Sequence, residues 1–320
     1  MKTFKSHGKI LLTGEYLVLH GATALGLPTQ LGQSLTVRRY EECGDEAMMR
    51  SDVILWKAYK PDGLWFSVTL NPETLETIET DDQEKAERLS VILQAMRSLN
   101  PYSIQPGLCF ETRLDFNPKW GLGSSSTLIS NLAKWSGVDP FKLYKFTFGG
   151  SGYDVACANA DEPIFYRYDS KQSTFVPPYS QQSYSPANFK PSFADHLFFV
   201  YQGQKQDSSV EVYLFNQLFD PAQHVKEIES VSQVSRSLPQ VTSLDEFRKL
   251  LSYHESIIAH CIGKTPIQQS YPDFEGALKS LGAWGGDFLL AATDMPFEEV
   301  KAYFQEKGLT TIFKYQDLIL

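Results

Sequence analysis

Long apolar runs are missing from this chain of 320 residues. Nowhere does a stretch approach 18 apolar residues, so no membrane-spanning helix is expected. Cysteine is scarce as well. Cys43, Cys109, Cys157 and Cys261 are widely spaced and form no Cys-x-x-Cys pair. That argues against a zinc ribbon or a dithiol redox motif and suits buried free thiols in a reducing cytoplasm. Positive charge is in deficit: 29 Lys and Arg against 38 Asp and Glu leave a net charge of −9. A nucleic-acid or anionic-membrane binder needs a basic face, so neither partner is expected. A local pocket for a phosphorylated small molecule stays open. The opening Met-Lys-Thr-Phe-Lys runs straight into a strand pattern with no apolar leader, and a cytoplasmic location is expected.

What is present suits a globular protein. Hydrophobic residues make up 42 % of the chain, with 21 Gly and 17 Pro, enough for a sizeable core in one large or two medium domains. Strand patterns are read at 9–13, 34–40, 53–59, 64–70 and 108–115, and helical spacing at 83–99 and 127–135. Residues 177–193, rich in Pro, Ser, Gln and Tyr, read as a linker, and place a join between domains at 1–185 and 186–320. Beyond it come a strand at 196–201, helices at 209–219, 222–236, 243–261 and 272–280, a strand at 288–292, a helix at 296–307 and a short strand at 310–313. Strands and helices are mixed without regular alternation, which predicts an α+β fold in two domains.

Three glycine-rich segments carry the chemistry. Gly121, Leu122, Gly123, Ser124, Ser125 and Ser126 stand directly before a helix pattern. A small-residue loop that opens a helix offers free backbone N–H groups and the positive end of the helix dipole, an anion site. It is also a serine-capped helix start of ordinary kind. It is neither a Walker loop nor a dinucleotide fingerprint: Ile258 occupies the first Gly position before Gly263-Lys264-Thr265, and a third glycine is missing at 121–126. Gly149-Gly-Ser151-Gly152-Tyr-Asp154 follows, where a carboxylate after a glycine turn can accept a proton or merely cap the turn. The third is Gly282-Ala283-Trp284-Gly285-Gly286-Asp287 before a buried strand. A fourth feature, Gly8-Lys9 to Gly14-Glu15-Tyr16, puts a lysine at a strand start. Other chemistries fit poorly. His254 and His260 are six apart, not the four of a zinc protease helix, and Tyr153 breaks a Gly-x-Ser-x-Gly elbow at Ser151.

In this order the four segments resemble the GHMP kinase superfamily, which includes galactokinase, homoserine kinase, mevalonate kinase and phosphomevalonate kinase. The resemblance spans nearly the whole chain. His7 stands where the first motif usually has Pro, and Trp284 and Asp287 interrupt the last glycine run. Gly14-Glu15-Tyr16, the Gly152-Tyr-Asp154 segment and Asp287 are nearest to phosphomevalonate kinase. That segment also looks like a bacterial branch named for Gly-Tyr-Asp-Ile-Ala, and His20-Gly21 resembles the end of the mevalonate kinase motif.

The resemblance implies an N-terminal domain like ribosomal protein S5 domain 2 and a ferredoxin-like C-terminal domain. It implies ATP and Mg2+ as cofactors and a small hydroxyl- or phosphate-bearing acid as substrate, mevalonate or phosphomevalonate in isoprenoid precursor synthesis. Asp154 and Lys9 would be catalytic. Residues 121–126 would hold ATP, with Ser125 on the metal. Glu15, His20, Ser151, Gly152, Gly282, Ala283, Gly285 and Gly286 would line the substrate. Lys119 would add a cation beside the loop. Diphosphomevalonate decarboxylase-like, homoserine kinase and sugar kinase activities are alternatives, and a non-catalytic metabolite sensor is one of another class. A homodimer stays open. Two departures stand out. Trp120 and Trp284 occupy positions that are usually small, where they could stack on a ligand or simply pack. Between Thr127 and Tyr153 there is no Glu, only Asp139, so the metal site must differ from that of mevalonate kinase or draw on another residue.

Overall fold

A computed structural model describes residues 1–42, 51–169, 182–204, 208–282, 284 and 286–320. Cys43, Ala283, Gly285 and most of the first half of the expected linker lie outside them. The chain forms two compact units. One comprises Met1–Gly8, Leu31–Pro118 and Gly123–Asn159, the other Lys9–Gln30, Lys119–Leu122 and Ala160–Leu320. Both are discontinuous, so a single cut in chain order, at 185/186 or elsewhere, does not reproduce them. The 185/186 position falls within a strand, Gln182–Pro186. Among the described residues no helix is long and apolar enough to cross a membrane.

In the first unit, strands β1 (Lys2–Thr13) and β2 (Ala24–Arg39) begin a sheet that continues with β3 (Ile54–Lys60), β4 (Gly63–Leu70), β5 (Thr77–Thr80) and, after helix α1 (Gln83–Leu99), β6 (Leu108–Leu114). The order is β5-β4-β3-β6-β2, with β1 on β2. β3 runs parallel to β6, whereas β2 runs antiparallel to it. The helices α2 (Ser124–Ser136), α3 (Pro140–Thr147) and α4 (Tyr153–Ala158) complete the unit. Alternation of Leu35, Val37, Ile54, Trp56, Val68 and Leu70 along the strands buries one face against Leu89, Ile92, Leu93, Ile129 and Leu132 of α1 and α2. Within it Trp56 stacks on Phe110, which meets Trp135 edge-on.

The second unit takes in the later half of β1 and the first half of β2, which pairs with β7 (Ile164–Tyr168), itself paired with β8 (Gln182–Pro186). Then come β9 (Leu197–Tyr201), helices α5 (Ser208–Leu218), α6 (Val225–Ser237) and α7 (Leu244–Ile262), β10 (Ala277–Leu281), β11 (Phe288–Ala292), α8 (Phe297–Glu306), β12 (Ile312–Lys314) and α9 (Tyr315–Leu318). The sheet order β10-β11-β9-β12, antiparallel throughout, is the ferredoxin-like arrangement.

Residues 272–280, read as a helix, instead supply most of the edge strand β10 (Ala277–Leu281). The same apolar set serves a strand because both faces are buried. Its outward N–H groups are capped by side chains: Leu278 donates to Gln268 Oε1 (2.9 Å) and Ser280 to Glu255 Oε2 (3.2 Å). The edge is thereby closed to further pairing.

Candidate active site

Gly121 and Gly123 both adopt positive φ, +71° and +91°, and let the chain turn sharply into α2. Gly123 is the N-cap and carries no side-chain cap, so the first N–H groups of α2 keep no intrahelical acceptor. The hydroxyls of Ser126 and Thr127 fold back onto the Gly123 carbonyl, each at 3.0 Å, and Thr127 also reaches Gln33 Oε1. Both side chains are buried. Ser125 differs: it is exposed at the helix start.

Before that turn the loop belongs to the second unit. The N–H of Lys9 donates to the Leu122 carbonyl at 2.9 Å, tying the loop to β1. A Cβ at Gly121 would lie 2.4 Å from the Asp287 carboxylate, and one at Gly282 would lie 3.0 Å from it. Asp287 is buried at φ +51°, and its own backbone pairs with Gln202 and Gln204. Gly121 and Gly282 therefore both approach one carboxylate, and Lys9 is tied to the same loop through Leu122. Gly121→Ala adds a left-handed penalty of about 1–2 kcal/mol to the collision. It is expected to lower the thermal midpoint by several degrees, as measured by calorimetry.

The turn after β1 is unusual. Gly14 has φ +97°, and Tyr16, at φ +58° and ψ −50°, closes a γ-turn of the rare hand through the Leu17 N–H and Glu15 carbonyl (2.5 Å). Such a residue stores about 1–3 kcal/mol of strain and persists only when its surroundings fix it. Here they do. Glu15, 2 % exposed, pairs with the fully buried Lys279, and its other oxygen lies 3.5 Å from His254 Nε2. The Gly14 N–H donates to His254 Nε2 at 3.0 Å. The Tyr16 hydroxyl accepts the Trp284 N–H at 3.2 Å, and burial pushes its pKa up to about 12. Burial likewise raises the Glu15 pKa to about 7, against the opposing pull of Lys279, and holds His254 neutral, well below its usual pKa.

Asp154 sits in the first turn of α4, after three glycines at positive φ, and α4 packs on α2. The Tyr144 hydroxyl donates to Asp154 Oδ2 at 3.1 Å, and the carboxylate is partly exposed. Ser151 is buried and accepts the Tyr153 N–H at 3.5 Å. Asp139 caps α3, its Oδ1 accepting the N–H groups of Phe141 and Lys142.

Other expected site residues fall differently. The Glu15 carboxylate is enclosed rather than presented to solvent. His20 is half-buried between Phe215 and Phe219, with Nε2 3.1 Å from Asn216 Oδ1. Trp284 is buried with Tyr16, Phe215 and Phe219, and the half-buried Trp120 lies edge-on to Phe313. The Gly286 carbonyl accepts from Gln202 Nε2, 2.9 Å away. Ala283 and Gly285 lie outside the described residues. Sequence reasoning missed Tyr144, Lys279 and the role of His254-Glu255. A lysine inside the buried strand Ala277–Leu281 was the available signal, since a charge there needs a partner. Tyr144 carried none.

The two-domain α+β fold is the GHMP kinase fold, shared with solved structures of kinases. It aligns with Streptococcus pneumoniae phosphomevalonate kinase in complex with phosphomevalonate and AMPPNP at a TM-score of 0.71 and 17 % identity, covering 98 % of this chain and 100 % of that one. Methanococcus jannaschii mevalonate kinase aligns at 0.66 and 16 %, covering 98 % and 96 %. Lactococcus lactis galactokinase complexed with galactose aligns at 0.61 and 12 %, covering 98 % and 92 %. No family model and no curated protein matches the sequence.

Proposed function

We propose that this chain is an ATP-dependent small-molecule kinase of the GHMP superfamily that phosphorylates mevalonate or phosphomevalonate. The observation that carries the reading is the meeting of Lys9, Gly121-Leu122 and Gly282–Asp287, three sequence-distant motif segments, inside one unit. The loop then leads straight into an uncapped helix start. That start fits a polyphosphate: N–H donors, two positive-φ glycines and a helix dipole, with little need for Lys or Arg. Global acidity is compatible with such a site.

The backbone of Gly121–Ser126 would cradle the phosphates. The exposed Ser125 hydroxyl would give one oxygen to Mg2+, an ion that keeps most of its waters and asks few protein ligands. When bound, the ion would neutralise charge on the phosphates. Asp154, oriented by Tyr144, would accept the proton of a hydroxyl acceptor. With a phosphate acceptor, already ionised, it would orient the attacking oxygen, and positioning would dominate. Lys9 would offset developing negative charge.

ADP release across mevalonate, phosphomevalonate, homoserine and hexoses tests the reading. Release only with the first two supports it, and absence with every acceptor overturns it. Carbon dioxide release would indicate the decarboxylase chemistry instead. Ser125→Ala is expected to shift the magnesium titration of ADP release several-fold upward, roughly the loss of one ligand; an unchanged titration removes Ser125 from the metal.

A further inference from the structure

The buried polar cluster behind the first motif has no part in the chemistry above. We propose that Lys279 and His254 are positioning residues that hold the strained Gly14–Glu15–Tyr16 turn in its working form, Lys279 through the Glu15 carboxylate and His254 through the Gly14 N–H. "Working form" rests on the kinase reading; the holding of the turn does not.

Three observations carry it. First, the turn is strained at Tyr16, and its three residues each have one buried anchor: His254 for Gly14, Lys279 for Glu15, and the Trp284 N–H for the Tyr16 hydroxyl. Strain retained under such constraint clusters at functional sites. Second, the anchors lead to the last motif. Lys279 stands on β10 just before Gly282, its ammonium also donates to the Ser280 carbonyl (2.7 Å), and Trp284 lies inside the glycine turn. Third, the cluster is not a self-sufficient structural pair. Glu15 is paired with Lys279 through one oxygen only, its Oε2 makes no hydrogen bond, and His254 Nδ1 is buried without an acceptor. Glu255 is already engaged by the Ile267 and Ser280 N–H groups and the Ser280 hydroxyl.

The groups facing Glu15 are Lys279 from β10 and His254 and Glu255 from α7. His254 is neutral and accepts through Nε2, so it adds no charge. Lys279 favours ionised Glu15, while burial and Glu255 disfavour it. Turn integrity is thereby coupled to one proton near neutral pH.

The test combines hydrogen exchange of amides 13–17 with the pH profile of kcat/KM for the working acceptor, over about pH 5.5–8.5. In the wild type, activity should fall on the acid side with a midpoint near Glu15's pKa of about 7. Lys279→Met should speed exchange roughly tenfold and move that limb up by about one pH unit or more. Glu15→Gln/Lys279→Met, which removes both charges and guards against misfolding of the single variant, should abolish the limb. His254→Leu should speed exchange similarly, and His254→Gln, whose amide oxygen can accept the Gly14 N–H, should restore it. Unchanged exchange in both single variants, or an unmoved limb in folded Lys279→Met, overturns the proposal. If exchange responds as described but the wild type phosphorylates no acceptor, the kinase reading fails and the holding of the turn stands.

Discussion

Asp154→Ala is expected to lower kcat at least about 100-fold with a hydroxyl acceptor, the usual contribution of a positioned general base. The side chain is partly exposed in a short helix and accepts the Tyr144 hydroxyl, so removing it opens no apolar cavity. The thermal midpoint should therefore hardly move. Stopped-time ADP release against acceptor concentration separates kcat from KM. A loss confined to KM would assign Asp154 to binding, and activity within a few-fold of wild type would end its candidacy as the base. A phosphate acceptor should show a smaller loss, because its oxygen needs orientation and no deprotonation. Tyr144→Phe should produce a milder form of the same defect.

The second large effect is on stability. Lys279→Ala removes the ammonium from a fully buried ion pair and leaves the Glu15 carboxyl buried without its cation. Breaking a buried pair from one side costs about 3–5 kcal/mol, a large part of a domain's margin. Urea denaturation at pH 8 should show it. The penalty should shrink toward pH 5.5, where Glu15 holds its proton. Glu15 also gives the wild type a signed pH dependence. Its folded pKa of about 7 lies above the unfolded value near 4.5, so the native state binds the extra proton between them. Its contribution is fully present below pH 4.5 and is lost as pH rises through 7. His254 acts oppositely: its depressed folded pKa costs stability as pH falls below 6.5. A stability curve that rises steadily from pH 6.5 to 8 would contradict the assignment to Glu15.

Much of this protein is written locally. The strand 288–292 and the helices 83–99, 127–135 and 243–261 announce themselves by period and glycine punctuation, and the structure has β11, α1, α2 and α7 there. The glycine segments were legible for the same reason: positive φ at Gly14, Gly121, Gly123, Gly152 and Gly282 is a demand that glycine meets at least cost. These properties belong to single turns, so single turns encode them.

Other features depended on neighbours far along the chain. The 272–280 segment carries apolar residues that suit either helix or strand, and only burial on both faces and the capping of its edge by Gln268 and Glu255 select β10. Glu15 reads as a site carboxylate until Lys279, 264 positions away, encloses it. Trp284 reads as either a ligand platform or a packing residue until its place among Tyr16, Phe215 and Phe219 is known. His254 reads as a failed zinc ligand until the Gly14 N–H is placed on its ring. Backbone preference and glycine chemistry are short-range and were settled by the sequence alone. Which charges are desolvated, and which partners then hold them, is a property of three-dimensional burial, and the tertiary structure alone decided it.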